Sequence, residues 1–146
     1  LQAVRRMSMQ NIFRNLAIVM AGLKPASDQQ LAEIIKKTPE LLNLNQIFRV
    51  ARLYEEGSEQ YCKTFDIALR FYGDNPTANL NAAVAAIKAS DYDKAERLLQ
   101  KAGNTPEAEN ARGIVAAQKG DKTTAIRHFE AAGNLPEAKN NLNQLK

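Results

Sequence analysis

The chain has 146 residues, 45% hydrophobic and 25% charged, the proportions of an ordinary soluble globular protein with enough apolar material for one domain or a short repeat array. Cys62 is the only cysteine, which excludes an intrachain disulfide and leaves no CxxC or CxxH spacing for zinc. The longest uncharged apolar run, Leu16 to Leu23, falls far short of the roughly 20 residues that cross a bilayer, so no direct membrane span is expected.

Charge is unevenly placed. The net charge is +4, and the first 26 residues carry Arg5, Arg6, Arg14 and Lys24 with no acid; the remainder balances. A basic end of this kind can face acidic partners, phosphate or anionic lipid, although a solvated helix face is the plainer reading. Leu1 to Leu23 reads as one amphipathic helix, with Val4, Met7, Phe13, Leu16, Ala17, Met20 and Leu23 near one face. It is not read as a signal peptide, because Arg14 and Asn15 abut a short apolar run. The chain begins at Leu1, so it is expected to be a piece of a longer protein, with any targeting signal lying upstream.

Lys24-Pro25-Ala26 breaks that helix, and Ser27 with Gln30 forms a capping box for the next, which runs to Lys37. Thr38-Pro39-Glu40 reads as a restart: a cap, a proline at the first helical position, then an acid at the positive helix end. The segment that follows runs to Glu56, either whole or broken near Asn43 or Asn45, and Gly57 ends it. Ser58 caps another helix carrying Tyr61, Phe65, Ala68, Leu69 and Tyr72, stopped by Gly73. Cys62 sits among its apolar positions and is expected to be a buried thiol.

From Asp74 the chain repeats. Asn75–Asn104 aligns without gaps on Thr105–Asn134, and a partial copy follows at Leu135–Lys146, a period of 30 residues. Pro76, Pro106 and Pro136 coincide, as do Ala78, Ala108 and Ala138. Each proline opens a first helix, Ser90-Asp91 or Gly120-Asp121 turns the chain, and a second helix ends at Gly103 or Gly133. Close helix approach needs small residues, and they recur in matching places: Ala83 and Gly113, Ala95 and Ala125, Ala102 and Ala132. Leu99 and Phe129 fill the gap between.

These residues resemble tetratricopeptide repeats. The resemblance implies an all-α fold, a right-handed solenoid of α-α hairpins over residues 74–146, with residues 1–73 packing on it as a helical cap. Copies at 75–104 and 105–134 are complete, and 135–146 is partial. Three departures stand out. The usual period is about 34 residues, and Arg112 stands where leucine is usual, with Ala86 and Ala116 replacing a large aromatic. Residues 45–146, through Gly57-Ser58-Glu59, Phe65-Asp66-Ile67-Ala68 and Tyr72-Gly73-Asp74-Asn75-Pro76, are also similar to the C-terminal helical-repeat region of Bacteroides-type cell-envelope proteins with OmpA-like modules. That likeness implies a periplasmic or surface-associated place, with the cytoplasm as the alternative.

The family's groove maps onto Thr77, Leu80, Val84 and Ile87, then Glu107, Asn110, Ile114 and Ala117, edged by Lys88 and Gln118. A groove of this composition implies a protein or peptide partner; alternatively, the apolar stripe packs on the preceding helix. Asn81 falls where some members clamp a carboxylate, but Glu107 and Ala111 stand where that clamp wants cations.

Chemistry is sparse. His128 is the only histidine and reads as a surface or packing residue, and nothing in the spacing pairs it with Cys62 as a dyad. The sequence has no phosphate-cradling loop, so no cofactor is expected. Asp91 and Asp93, like Glu107 and Glu109, fit helix starts better than a metal. No aromatic-interleaved basic stripe supports nucleic acid. The Asn140-Asn141-Leu142-Asn143 tail reads as a frayed, solvated final helix. The expectation is a non-catalytic interaction module or scaffold. The alternatives are a bracing domain without a groove and an accessory domain of an enzyme. The oligomeric state is left open.

Overall fold

The computed structural model describes residues 26–146; the expected helix at Leu1–Leu23, with its basic residues, lies outside them. Among the described residues every regular element is helical: eight α-helices and one 3-10 turn, with no strand. None of these helices is long and apolar enough to cross a membrane.

Helix α1 spans Asp28–Lys37 and starts on the Ser27–Gln30 capping box, in which each side chain accepts from the other's backbone N–H. The restart at Thr38 lasts only one turn, with Pro39 at its first position and Glu40 behind it. The Thr38 side chain makes no cap; its hydroxyl donates back to the Ile34 carbonyl, and Pro39–Leu41 closes a single 3-10 turn. The chain restarts instead at Asn43, one of the two expected break points, where Asn43 and Gln46 form a second capping box for α2, Leu44–Ala51. Helix α2 ends at Ala51 rather than running to Glu56. Beyond that end the chain runs to Gly57, whose φ is +82° and where an added Cβ would stand 2.6 Å from the Lys88 carbonyl oxygen. The segment leaves the helix to lie against a later part of the chain, which no local signal encodes.

Ser58 caps α3, Glu59–Tyr72. Asn75 caps α4, Pro76–Lys88, and Thr105 caps α6, Pro106–Gln118, each accepting from the N–H three residues on and each followed by proline at the first position. Asp91 and Asp121 cap α5, Tyr92–Leu99, and α7, Lys122–Ala131. The turns before them match as well: Ser90 and Gly120 both have positive φ, and the Asp91 and Asp121 N–H groups reach back to the Ala86 and Ala116 carbonyls at 2.8 and 2.9 Å. Helix α8, Pro136–Leu145, is the final helix, largely exposed beyond the buried Ala138, and Asn141 donates to Asn110 of α6 at 3.0 Å.

Each helix packs on the next in sequence, from α1 on α2 to α7 on α8, and α6 also touches α4 and α8. The core is a relay of small clusters. Leu31, Ile35, Leu42, Ile47 and Val50 gather between α1, α2 and α3. Tyr61 and Phe65 meet Ala82 and Ala85 between α3 and α4, which carries the core across residue 73. Ala83, Ala95, Leu99 and Ala111 join α4, α5 and α6, and Ala125, Phe129 and Ala138 join α7 and α8. The coincident Ala78, Ala108 and Ala138 are all fully buried, as the 30-residue alignment requires.

Candidate binding cleft

Helix α4 presents two faces to different neighbours. Leu80 and Ile87 turn into the α4–α5–α6 cluster and pack against its buried alanines. Asn81, Val84 and Lys88, at a spacing of three and four residues, share the other face. That face forms one wall of a cleft of about 380 Å³ with α2, the α2–α3 loop and α3. Its apolar lining is Phe48, Ala51, Tyr61, Phe65 and Val84. The rings interlock: Phe48 and Phe65 centroids are 5.7 Å apart, and Tyr61 meets Phe65 edge-on at 4.9 Å.

The polar groups sit around this lining. Lys88 donates to Glu56 at 2.9 Å and stands 5.8 Å from the Tyr61 ring centroid. Partial burial pulls the Lys88 ammonium down, but the Glu56 pair and the Tyr61 side chain outweigh it and hold the group above its ordinary 10.5. Arg52 and Asn81 also line the cleft.

The remaining expected groove residues do not gather here. Ile114 and Ala117 pack into the C-terminal cluster, and Asn110 is tied to Asn141. Thr77, Glu107 and Gln118 are exposed and line none of the clefts described. Of the lining residues that sequence reasoning passed over, Phe48, Tyr61 and Phe65 carried a signal, the four-residue spacing of the last two on α3. Arg52, Tyr54 and Glu56 lie in or beside a loop and carried none.

Cys62 is half-buried rather than buried, with Sγ 3.9 Å from the Ala85 carbonyl oxygen. Burial, with the Asp66 and Asp91 carboxylates, pushes its thiol above the ordinary 9.0 against the opposing pull of Lys94, which favours the protonated form. His128 is engaged elsewhere. Its Nδ1 lies 2.7 Å from Glu109 Oε2, and the same carboxylate accepts from Arg112 at 3.0 Å. Arg112 also donates to the Leu99 and Gly103 carbonyls at 2.7 and 2.6 Å, closing the C-terminal end of α5. The arginine that departs from the leucine pattern therefore performs a helix-capping task. The first repeat solves the same problem differently: Asn79 donates to the Gly73 carbonyl at the end of α3. A second cleft of about 520 Å³ opens beside this cluster, lined by Leu99, Val115, Lys119, Thr124 and His128 among others. Its cations are committed to the protein itself, because Lys119 pairs with Asp93 at 2.7 Å and with Glu96. Among the described residues, no three His, Cys, Asp or Glu side chains group as metal ligands.

Compared with known proteins, the chain matches no protein-family model and no curated sequence.

Proposed function

We propose that this chain is a non-catalytic helical-repeat scaffold of tetratricopeptide type that holds a protein partner, with the α2–α3–α4 cleft as its contact point. The observation that carries this reading is the cleft itself: a concave apolar lining with a polar rim on α4, a helix whose opposite face is already committed to the core. The repeat reading is supported by the matched prolines, caps, turn conformations and buried alanines of α4–α5 and α6–α7, and by packing that runs mainly between sequence neighbours. The likeness of residues 45–146 to cell-envelope repeat regions supports a periplasmic or surface-associated setting.

A photo-crosslinking residue at position 84, with one at exposed Thr123 as the control, tests the reading in cells. A discrete adduct formed only from position 84 supports it. Adducts from neither position favour the second reading, a brace between neighbouring domains. One observation speaks for the brace: Leu80, Ile87, Asn110, Ile114 and Ala117, nearly half of the expected groove, are taken up by the protein's own packing.

A further inference from the structure

We infer that the α2–α3–α4 cleft takes an extended polypeptide segment in which a bulky apolar side chain lies beside a carboxylate; this rests on the scaffold reading above. The lining sets the first requirement. Phe48, Ala51, Tyr61, Phe65 and Val84 surround about 380 Å³, a space at the small end of ligand clefts and suited to one large side chain with its flanking main chain.

The rim sets the second. Glu56 is the only acid lining the cleft, and it is engaged by Lys88 at 2.9 Å, so these two charges neutralise each other. Arg52 is exposed, and among the described residues no carboxylate pairs with it. Residues 1–25 contain no aspartate or glutamate to supply one. Among the described residues, the one unneutralised charge lining the cleft is thus a guanidinium, whose donor fork matches a carboxylate in two parallel hydrogen bonds.

Asn81 sets the third. Among the described residues its side-chain amide has no hydrogen-bond partner, and it stands beside Val84 on the cleft wall. An amide offers both donors and an acceptor, the complement of a main-chain peptide group. A run of phosphates would need several free cations, and among the described residues the cleft has one.

Fluorescence anisotropy reads this directly, with a labelled extended peptide of alternating leucine and aspartate. Two companions replace aspartate by lysine or leucine by serine. The leucine–aspartate peptide is expected to bind, the other two to bind at least about tenfold more weakly, as lost charge-assisted bonds and lost apolar burial each imply. Arg52→Glu should reverse the preference in favour of the lysine peptide, an effect that a purely structural role for Arg52 would not produce. Val84→Glu should abolish binding of every peptide, with circular dichroism checking that both variants keep their helices. Equal binding of the aspartate and lysine peptides overturns the carboxylate requirement while leaving a peptide cleft. Binding of neither overturns the inference outright, and the scaffold reading then stands or falls on the crosslinking result.

Discussion

Gly113 shows how much this packing asks of single residues. An added Cβ there would run into the Phe129 ring. The first repeat holds Ala83 and Leu99 at the same two places, both buried in one cluster. The larger residue at one position has been met by the smaller at the other, so the pair carries one shared volume. Gly113→Ala alone should destabilise the fold by about 1–3 kcal/mol through overpacking, despite the better helix propensity of alanine. Gly113→Ala with Phe129→Leu should recover most of that loss, because it recreates the first repeat's pair. A double-mutant cycle by chemical denaturation measures it, and simple additivity of the two changes would sink the argument. Ser90 makes the converse case. It holds φ +60° without being glycine, where Gly120 holds +83° in the second repeat. Ser90→Gly should therefore raise stability by roughly 0.5–1 kcal/mol, the left-handed penalty removed less the extra entropy of glycine. A fall in the denaturation midpoint would show that the Ser90 side chain contributes something the backbone account misses.

At the scale of helices, the ends are where the sequence was most legible. Ser27 with Gln30, and the prolines at 76, 106 and 136, act through contacts within one turn, so local chemistry suffices to place them. The C-terminal end of helix α2 was not legible for the opposite reason, and its start only as one of two possible breaks. Thr38-Pro39 reads as a strong start but yields only a 3-10 turn before the cap at Asn43, and the segment after Ala51 leads to Gly57, which lies against Lys88 of a later helix. The candidate site was legible in part for a related reason. Helical periodicity shows which residues share a face but not which neighbour that face meets, so Asn81, Val84 and Lys88 reached the cleft while Leu80 and Ile87 went to the core. Arg112 extends the same lesson, because its leucine-breaking charge closes the end of α5 and is neutralised by Glu109. Arg112→Leu, which puts in the leucine usual in the repeats this sequence resembles, should therefore destabilise by about 2 kcal/mol, since it strips a partner from a carboxylate only 16% exposed and frees two carbonyls. A loss below about 0.5 kcal/mol in thermal unfolding would mean that the cluster holds nothing together. The caps also have a pH signature. The Thr124 hydroxyl, and then its N–H, hold the Asp121 carboxyl below its ordinary 3.8. A depressed folded value adds stability that is present above 3.8 and lost as pH falls through the lower folded value. Asp121→Asn keeps a good cap but cannot titrate, so its midpoint should match wild type near neutrality and decline less between pH 5 and pH 2 (about the range where carboxylates protonate). Parallel decline in both proteins would remove Asp121 from the acid limb.

Across the whole described chain, the relay of clusters decides how damage spreads. Helices α1 to α3 share a core around Ile47 and Val50, the helices from α6 onward share one around Phe129, and the two are linked only through α4 and α5. A structure joined mainly by nearest neighbours loses stability locally, since each interface contributes its own share and distant ones are untouched. Phe129→Ala removes a side chain that is 3% exposed, a change worth about 3–5 kcal/mol where the cavity does not collapse. Its effect should be graded along the chain. Hydrogen exchange followed by mass spectrometry should show protection falling steeply over α6, α7 and α8, modestly over α5, and hardly at all over α1 and α2. A uniform fall instead would mean that the whole chain opens as one cooperative unit, and the cleft on α4 would then be as exposed to C-terminal damage as the repeats themselves. The graded outcome has a functional consequence. It would leave the cleft, walled by α2, α3 and α4, standing on the robust side of the relay, so that Phe129→Ala weakens the C-terminal helices while the peptide binding proposed for the cleft persists.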